Sequence, residues 1–171
     1  MVYPIDKFGN PVLEREAEEV REFDTPELHQ FVADMFESMY AAKGVGLAAP
    51  QIGFARKIAV IDVSNGENEG DKLVLINPKI VKLEGMQIGE EGCLSIPTFR
   101  EQVRRAKRAT LVAHNAKGEK LEMTGEDLLA RAFQHETDHL YGRLYITHIS
   151  ALKRDLMKRK IRKLQHAGEW M

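Results

Sequence analysis

Apolar residues recur at Leu28, Phe31, Val32, Met35, Phe36 and Met39, the rhythm of a helix with one buried face. Thr25-Pro26 just ahead of that stripe supplies a capping hydroxyl and a first-turn proline, so the spacing predicts a helix from there to Gly44. The period then changes. Lys57 to Val63 is a short apolar run that predicts a strand, and the polar segment Ser64 to Gly70 predicts a loop or hairpin end. Leu73 to Leu83 predicts another strand, in which Asn77-Pro78 calls for a bulge or an edge position. Arg104 to Ala113 and Lys120 to Met123 predict two more around the turn Asn115-Ala116-Lys117-Gly118. A second helix follows. Thr124 and Asp127 have capping-box spacing, Leu128, Leu129, Ala132 and Phe133 form its apolar side, and Gly142 falls at its C′ position. A last helix is expected over about 150–165, with Leu152, Leu156, Ile161 and Leu164 as its apolar stripe. Strands joined by hairpin-length connections, with helices after them, indicate an α+β domain built on antiparallel sheets.

At 171 residues the chain is expected to form one domain, 1–171, large enough to bury a core unaided. A net charge of −1 exerts no overall pull toward DNA or a membrane. Met1 to Asp6 has neither the basic nor the apolar region of a signal peptide, which predicts a cytoplasmic protein. A single cysteine, Cys93, has no internal disulfide partner, so it is either a small buried hydrophobe or a working thiolate.

Candidate chemistry centres on His135-Glu136-Thr137-Asp138-His139. Residues four apart on a helix share a face, so His135 and His139 can bind one ion. Glu136 is about 100° round the same wheel, in reach of a water beside that ion. Two imidazoles and a carboxylate are what metal-assisted hydrolysis requires; two incidental histidines on a helix are the alternative. A third ligand is expected. The position six residues beyond His139 is Tyr145, so an extended three-histidine motif fails, and Asp155 and Glu169 are poorly placed. Cys93, in Glu90-Glu91-Gly92-Cys93-Leu94-Ser95, is the better candidate. Gly44 to Gln51 formally fits a dinucleotide-binding pattern, but a helix precedes it and Pro50 follows. That leaves a glycine-rich helix end or the backbone wall of a cleft with Gln51 presenting its amide.

Gly44-Val45-Gly46-Leu47-Ala48-Ala49-Pro50-Gln51, Glu91-Gly92-Cys93-Leu94-Ser95 and Gln134-His135-Glu136-Thr137-Asp138-His139-Leu140 together resemble, in order and spacing, the three signature motifs of the peptide deformylases. Asn10-Pro11-Val12-Leu13 and Ile76-Asn77-Pro78 extend the likeness across residues 3–165. The resemblance implies a metal-dependent hydrolase that removes the formyl group from N-formylmethionyl nascent peptides and releases formate. It implies Cys93, His135 and His139 as ligands of one divalent ion, with a fourth position for water. Glu136 would be the proton carrier, and the Gln51 amide and Leu94 N–H the oxyanion donors. Val45, Gly46 and Gly92 would pair with the extended peptide through their backbones. Leu128, Ala132 and the stem of Arg131 would line the methionine pocket with Val45, although Leu128 and Ala132 serve equally well as core. Gln134 and Asp138 are candidates for orienting the ligands, with Arg105 an alternative partner for Asp138. The family is similar in preferring Fe2+, with Ni2+ or Co2+ effective and Zn2+ poor, whereas a Cys-His-His set by itself also suits zinc.

Lys153, Arg154, Lys158, Arg159, Lys160, Arg162 and Lys163 give the last helix a basic face. It is either a solvated surface or, given the implied substrate, a contact for ribosomal RNA phosphates. Two rival readings stay open on sequence: an HExxH metallopeptidase cutting internal peptide bonds, and a protein in which zinc is purely structural.

Overall fold

The computed structural model describes residues 1–170. Thr25 accepts a hydrogen bond from the Leu28 N–H at 3.1 Å and Pro26 opens helix α1, Pro26–Ala41. Strands β1 (Gly46–Ala48), β2 (Ile58–Ile61), β3 (Leu73–Glu84), β4 (Gln87–Cys93), β5 (Ile96–Arg105), β6 (Arg108–His114) and β7 (Lys120–Glu126) precede helix α2, Asp127–Leu140, and helix α3, Ala151–His166. The strands form a five-stranded sheet in the order β1-β2-β3-β6-β7 and a separate β4–β5 hairpin, all antiparallel. The expected α+β class is what the chain adopts.

Strand alternation divides the core. On β2, Ile58 and Val60 face α1 and meet Phe31, Met35 and Met39, while Ala59 and Ile61 face α2 and meet Ala130 and Phe133. β2 is therefore buried on both faces, which is why its sequence is an unbroken apolar run. A third cluster joins the β4–β5 hairpin to the Leu144–Ile149 segment and α3. α2 lies between sheet and hairpin, so its residues reach both.

Three local expectations need correcting, and the choice left open at Asn77-Pro78 is settled. The Arg104 to Ala113 run is two strands, because the chain turns at Ala106-Lys107 between β5 and β6. β3 is central, and its Asn77-Pro78 sits in a bulge: Asn77 has φ +51 and its side chain exchanges two 2.9 Å hydrogen bonds with the Val20 backbone. The capping box does not form. β7 stays in register with β6 as far as Glu126, committing Thr124 to the ladder opposite Thr110, and the chain enters α2 through Asp127 at φ +53. Finally, α3 docks through Met157 and Ile161, leaving Leu152 and Leu156 exposed. Gly142, at φ +78, follows α2 as the C′ glycine that the sequence predicts.

Candidate metal centre and cleft

α2 carries His135, Glu136 and His139, all buried. The β4–β5 turn brings Cys93 to them. Cys93 Sγ lies 3.3 Å from His139 Nε2, and the two Nε2 atoms lie 3.2 Å apart. These three atoms fall within 4.8 Å of one another, the convergence of a single ion site. β1 and the turn after it bring Gln51. Its carbonyl oxygen accepts from the Ala48 N–H at 2.9 Å, which aims its Nε2 at Ser95 Oγ (3.2 Å) and Cys93 Sγ (3.5 Å).

Glu91 orders the site from behind. Its Oε1 is 2.6 Å from His135 Nδ1 and accepts from Arg105 at 2.6 Å. Its Oε2 accepts from Arg105 Nε at 3.1 Å and from Arg131 at 2.6 Å. Burial opposes ionisation of Glu91, but His135 and Arg105 hold its carboxyl well below the ordinary range. Arg105 also donates to Asp138 at 2.7 Å, and His148 Nε2 lies 2.9 Å from the same oxygen. Asp138 therefore takes the arginine pairing and does not touch a ligand ring. Gln134 is likewise turned away, binding the Ala106 N–H and carbonyl at 3.0 Å each. From sequence, Glu91 has no role of its own beyond membership of a motif. Strand alternation was the signal that could have found it, since Glu91 and Cys93, two apart on β4, face one side.

The charges suit a cation. Burial, then positive charge at His135, push His139 well below its usual pKa, leaving a neutral imidazole with a free lone pair. Burial disfavours charge at His135 too, yet Glu136, Cys93 and Glu91 outweigh it and raise that pKa. One positive charge is thus favoured where three donors meet. Burial pushes the Glu136 carboxyl up to about 7 against the pull of His135. Glu136 Oε1 is buried without a hydrogen-bond partner. The donor set and this free oxygen fit a bound divalent ion with water beside it.

A cleft of about 470 Å³ opens over these groups. Val45, Gly46, Gln51, Gly92 and Leu94 line one part of it, and Leu128, Arg131 and Ala132 of α2 another. Leu128 is 51% exposed at the mouth, whereas Ala132 is buried. Arg131 is buried as well, its guanidinium held by Glu91 and the Val103 carbonyl. β1 pairs only with β2 and β4 only with β5 among the described strands, so the cleft lies between two free strand edges.

Comparison with known proteins agrees with this geometry. A peptide deformylase of Acidobacterium capsulatum is 59% identical over 170 residues, covering 99% of both chains. One from Thermodesulfovibrio yellowstonii is 41% identical, covering 94% of this chain and 97% of its own. The crystal structure of a peptide deformylase from Legionella pneumophila superposes with a TM-score of 0.90 at 40% identity, covering 98% of each chain. That from Thermus thermophilus gives 0.88 at 39% identity over 95% of each. With the polypeptide deformylase family model matching residues 2–155, the chain belongs to the polypeptide deformylase family.

Proposed function

We propose that Cys93, His135 and His139 hold the one divalent ion with which this enzyme removes the N-formyl group from nascent formylmethionyl peptides. The observation that carries the assignment is the meeting of Sγ and two Nε2 atoms beside the partnerless Glu136 Oε1. Family membership sets aside the internal peptidase and the structural-zinc protein. When bound, a divalent ion supplies Lewis-acid polarisation of the formyl oxygen and lowers the pKa of water toward neutrality. From the likeness of its motifs to the family's we assign Fe2+ in the cell; Zn2+, Ni2+ or Co2+ fits the same donors in purified protein.

Glu136 Oε1 takes a proton from the water whose oxygen attacks the formyl carbon. A carboxyl near pKa 7 is matched to that exchange at neutral pH. Gln51 Nε2 and the Leu94 N–H donate to the formyl oxygen as it gains negative charge. Glu136 then returns the proton to the methionyl nitrogen as the C–N bond breaks, and formate and a free amine leave. The peptide adds as a strand between the edges of β1 and β4, using backbone groups of Val45, Gly46 and Gly92. Its methionine side chain lies against Val45, Leu128, Ala132 and the stem of Arg131.

Glu136→Gln tests the scheme. Formate release from formyl-Met-Ala-Ser should fall by at least about two orders of magnitude, with metal content unchanged. Retained turnover would refute the role of Glu136, and metal loss in Cys93→Ala or His139→Ala tests the ligands. The cytoplasm is the compartment we assign, and among the described residues no helix is long and apolar enough to cross a membrane. The exposed Arg159, Lys160, Arg162 and Lys163 of α3 supply a phosphate-binding face for ribosomal RNA. Reversing them to glutamate should abolish salt-sensitive ribosome co-sedimentation and spare tripeptide hydrolysis; unchanged co-sedimentation would remove the ribosome contact.

A further inference from the structure

Beyond α3 the chain turns back through Gly168, at φ +71, and lays Trp170 on the body of the protein. The indole Nε1 donates to the Phe8 carbonyl at 2.9 Å, and the ring meets Phe99 edge-on with centroids 6.1 Å apart. Both contacts lead to the cleft. The Phe8 N–H donates to the Ser95 carbonyl at 2.8 Å, and Ser95 belongs to the turn that carries Cys93 and Leu94. Phe99 itself lines the cleft, next to Pro97 and Thr98.

That wall receives no support from the hairpin ladder. Cys93 pairs with Ile96 and Gly92 with Arg100, so Pro97, Thr98 and Phe99 loop out between consecutive pairs. Thr98 sits at φ +71, a left-handed conformation that is costly for a β-branched residue and persists only where the surroundings hold it. The support comes from behind. The Tyr145 hydroxyl donates to the Phe99 carbonyl at 3.4 Å, and Trp170 packs on the Phe99 ring in one apolar cluster with Ile96, Met157 and Ile161.

We propose that Trp170 is a positioning residue for substrate, a strap that fixes the Pro97–Phe99 wall of the cleft through Phe99 and the Cys93–Ser95 turn through Phe8. It touches neither peptide nor metal ligand. Its removal frees the wall to relax away from the left-handed conformation at Thr98, which weakens binding of the peptide beyond its methionine and leaves the proton transfers at Glu136 alone. The proposal rests on this cleft being the substrate site.

Trp170 is the only tryptophan of the chain, so its emission reports directly on the strap. In the Glu136→Gln holoenzyme, titration with formyl-Met-Ala-Ser should change that emission along the binding isotherm measured by calorimetry. Trp170→Ala should raise KM for formyl-Met-Ala-Ser roughly fivefold and leave kcat within about twofold. Trp170→Phe, which keeps the contact with Phe99, should recover most of the loss. Saturable binding with silent emission, an unchanged KM in Trp170→Ala, or a joint fall of kcat, KM performance and melting temperature would each overturn the strap alone. A tripeptide that does not bind the holoenzyme would overturn the cleft assignment and the strap with it.

Discussion

His135 Nδ1 lies 2.6 Å from Glu91 Oε1, so one ring nitrogen is tied to a buried carboxylate while the other faces Cys93 and His139. The pairing fixes the tautomer and the ring plane together, and a carboxylate on Nδ1 makes Nε2 a stronger donor. Glu91 in turn is fixed by two arginines from different elements, Arg105 of β5 and Arg131 of α2.

Glu91→Gln keeps the shape and removes the charge. Metal affinity, measured by chelator competition, should fall about 10- to 100-fold. Glu91→Ala goes further, because it strands the buried Arg131 guanidinium and leaves Arg105 with Asp138 alone. Its thermal denaturation should report a loss of about 3–5 kcal/mol, the cost of leaving a buried charge uncompensated. Wild-type metal affinity in Glu91→Gln would show that the hydrogen bond to His135 is dispensable.

Much of this arrangement is written in short-range pattern. The shared face of His135 and His139, the stripe of α1 with its Thr25-Pro26 start, and the Asn77-Pro78 bulge all depend on residues within a turn or two. The Glu91 hub does not. Its partners lie 14, 40 and 44 residues along the chain, and only the packing of α2 against the hairpin brings them together. The missed capping box has the same origin. Thr124 has the right spacing to Asp127, but its pairing with Thr110 across β6 and β7 outweighs a local preference. The break at Ala106-Lys107 is not legible because the run Arg104-Arg105-Ala106-Lys107-Arg108 has no glycine or proline to mark the turn.

Gly46 owes its lack of a side chain to Glu136. A Cβ built there would come 2.5 Å from Glu136 Oε2 and 2.9 Å from Cδ. Since Gly46 is anchored in the β1–β2 ladder, the carboxylate would have to swing aside. Gly46→Ala should lower kcat about 100-fold, the scale of an ångström misplacement, with bound metal and melting temperature close to wild type. An alanine variant with full kcat would mean that Glu136 acts from another rotamer.

Asp62 organises the loop that follows β2. It accepts from the Ser64 and Gly66 amides at 2.9 Å each, from the Ser64 hydroxyl at 2.6 Å and from the Tyr40 hydroxyl. Burial raises its pKa, but the Ser64, Tyr40 and Gly66 bonds outweigh that and hold it below the ordinary 3.8. A carboxyl with a lowered folded pKa stabilises fully above its unfolded value and loses that contribution as pH falls through the folded one. The gap in melting temperature between the enzyme and Asp62→Asn should therefore be widest near neutrality and close below about pH 3.8. A gap that stays constant or grows in acid would show that Asp62 acts through shape and not through charge.

Removing the metal separates catalysis from folding. The three donors sit on α2 and on the β4–β5 hairpin, which the Glu91, Arg105, Arg131 and Asp138 ion pairs already fasten together, while apolar clusters hold α2 to the five-stranded sheet and the hairpin to α3. A chelator should therefore abolish formate release while far-UV circular dichroism at 25 °C stays unchanged. The melting temperature should drop only by the binding free energy lost, which scales with the logarithm of metal concentration over Kd. Loaded with Fe2+, the proposed site would have a further property, because Fe2+ and the Cys93 sulfur are both open to oxidation. Activity of the ferrous enzyme should decay in air and return on anaerobic reduction and reloading with Fe2+, unless Cys93 has passed to the sulfinic stage. Unfolding on chelation would instead assign the ion a structural share that the ion-pair network does not carry.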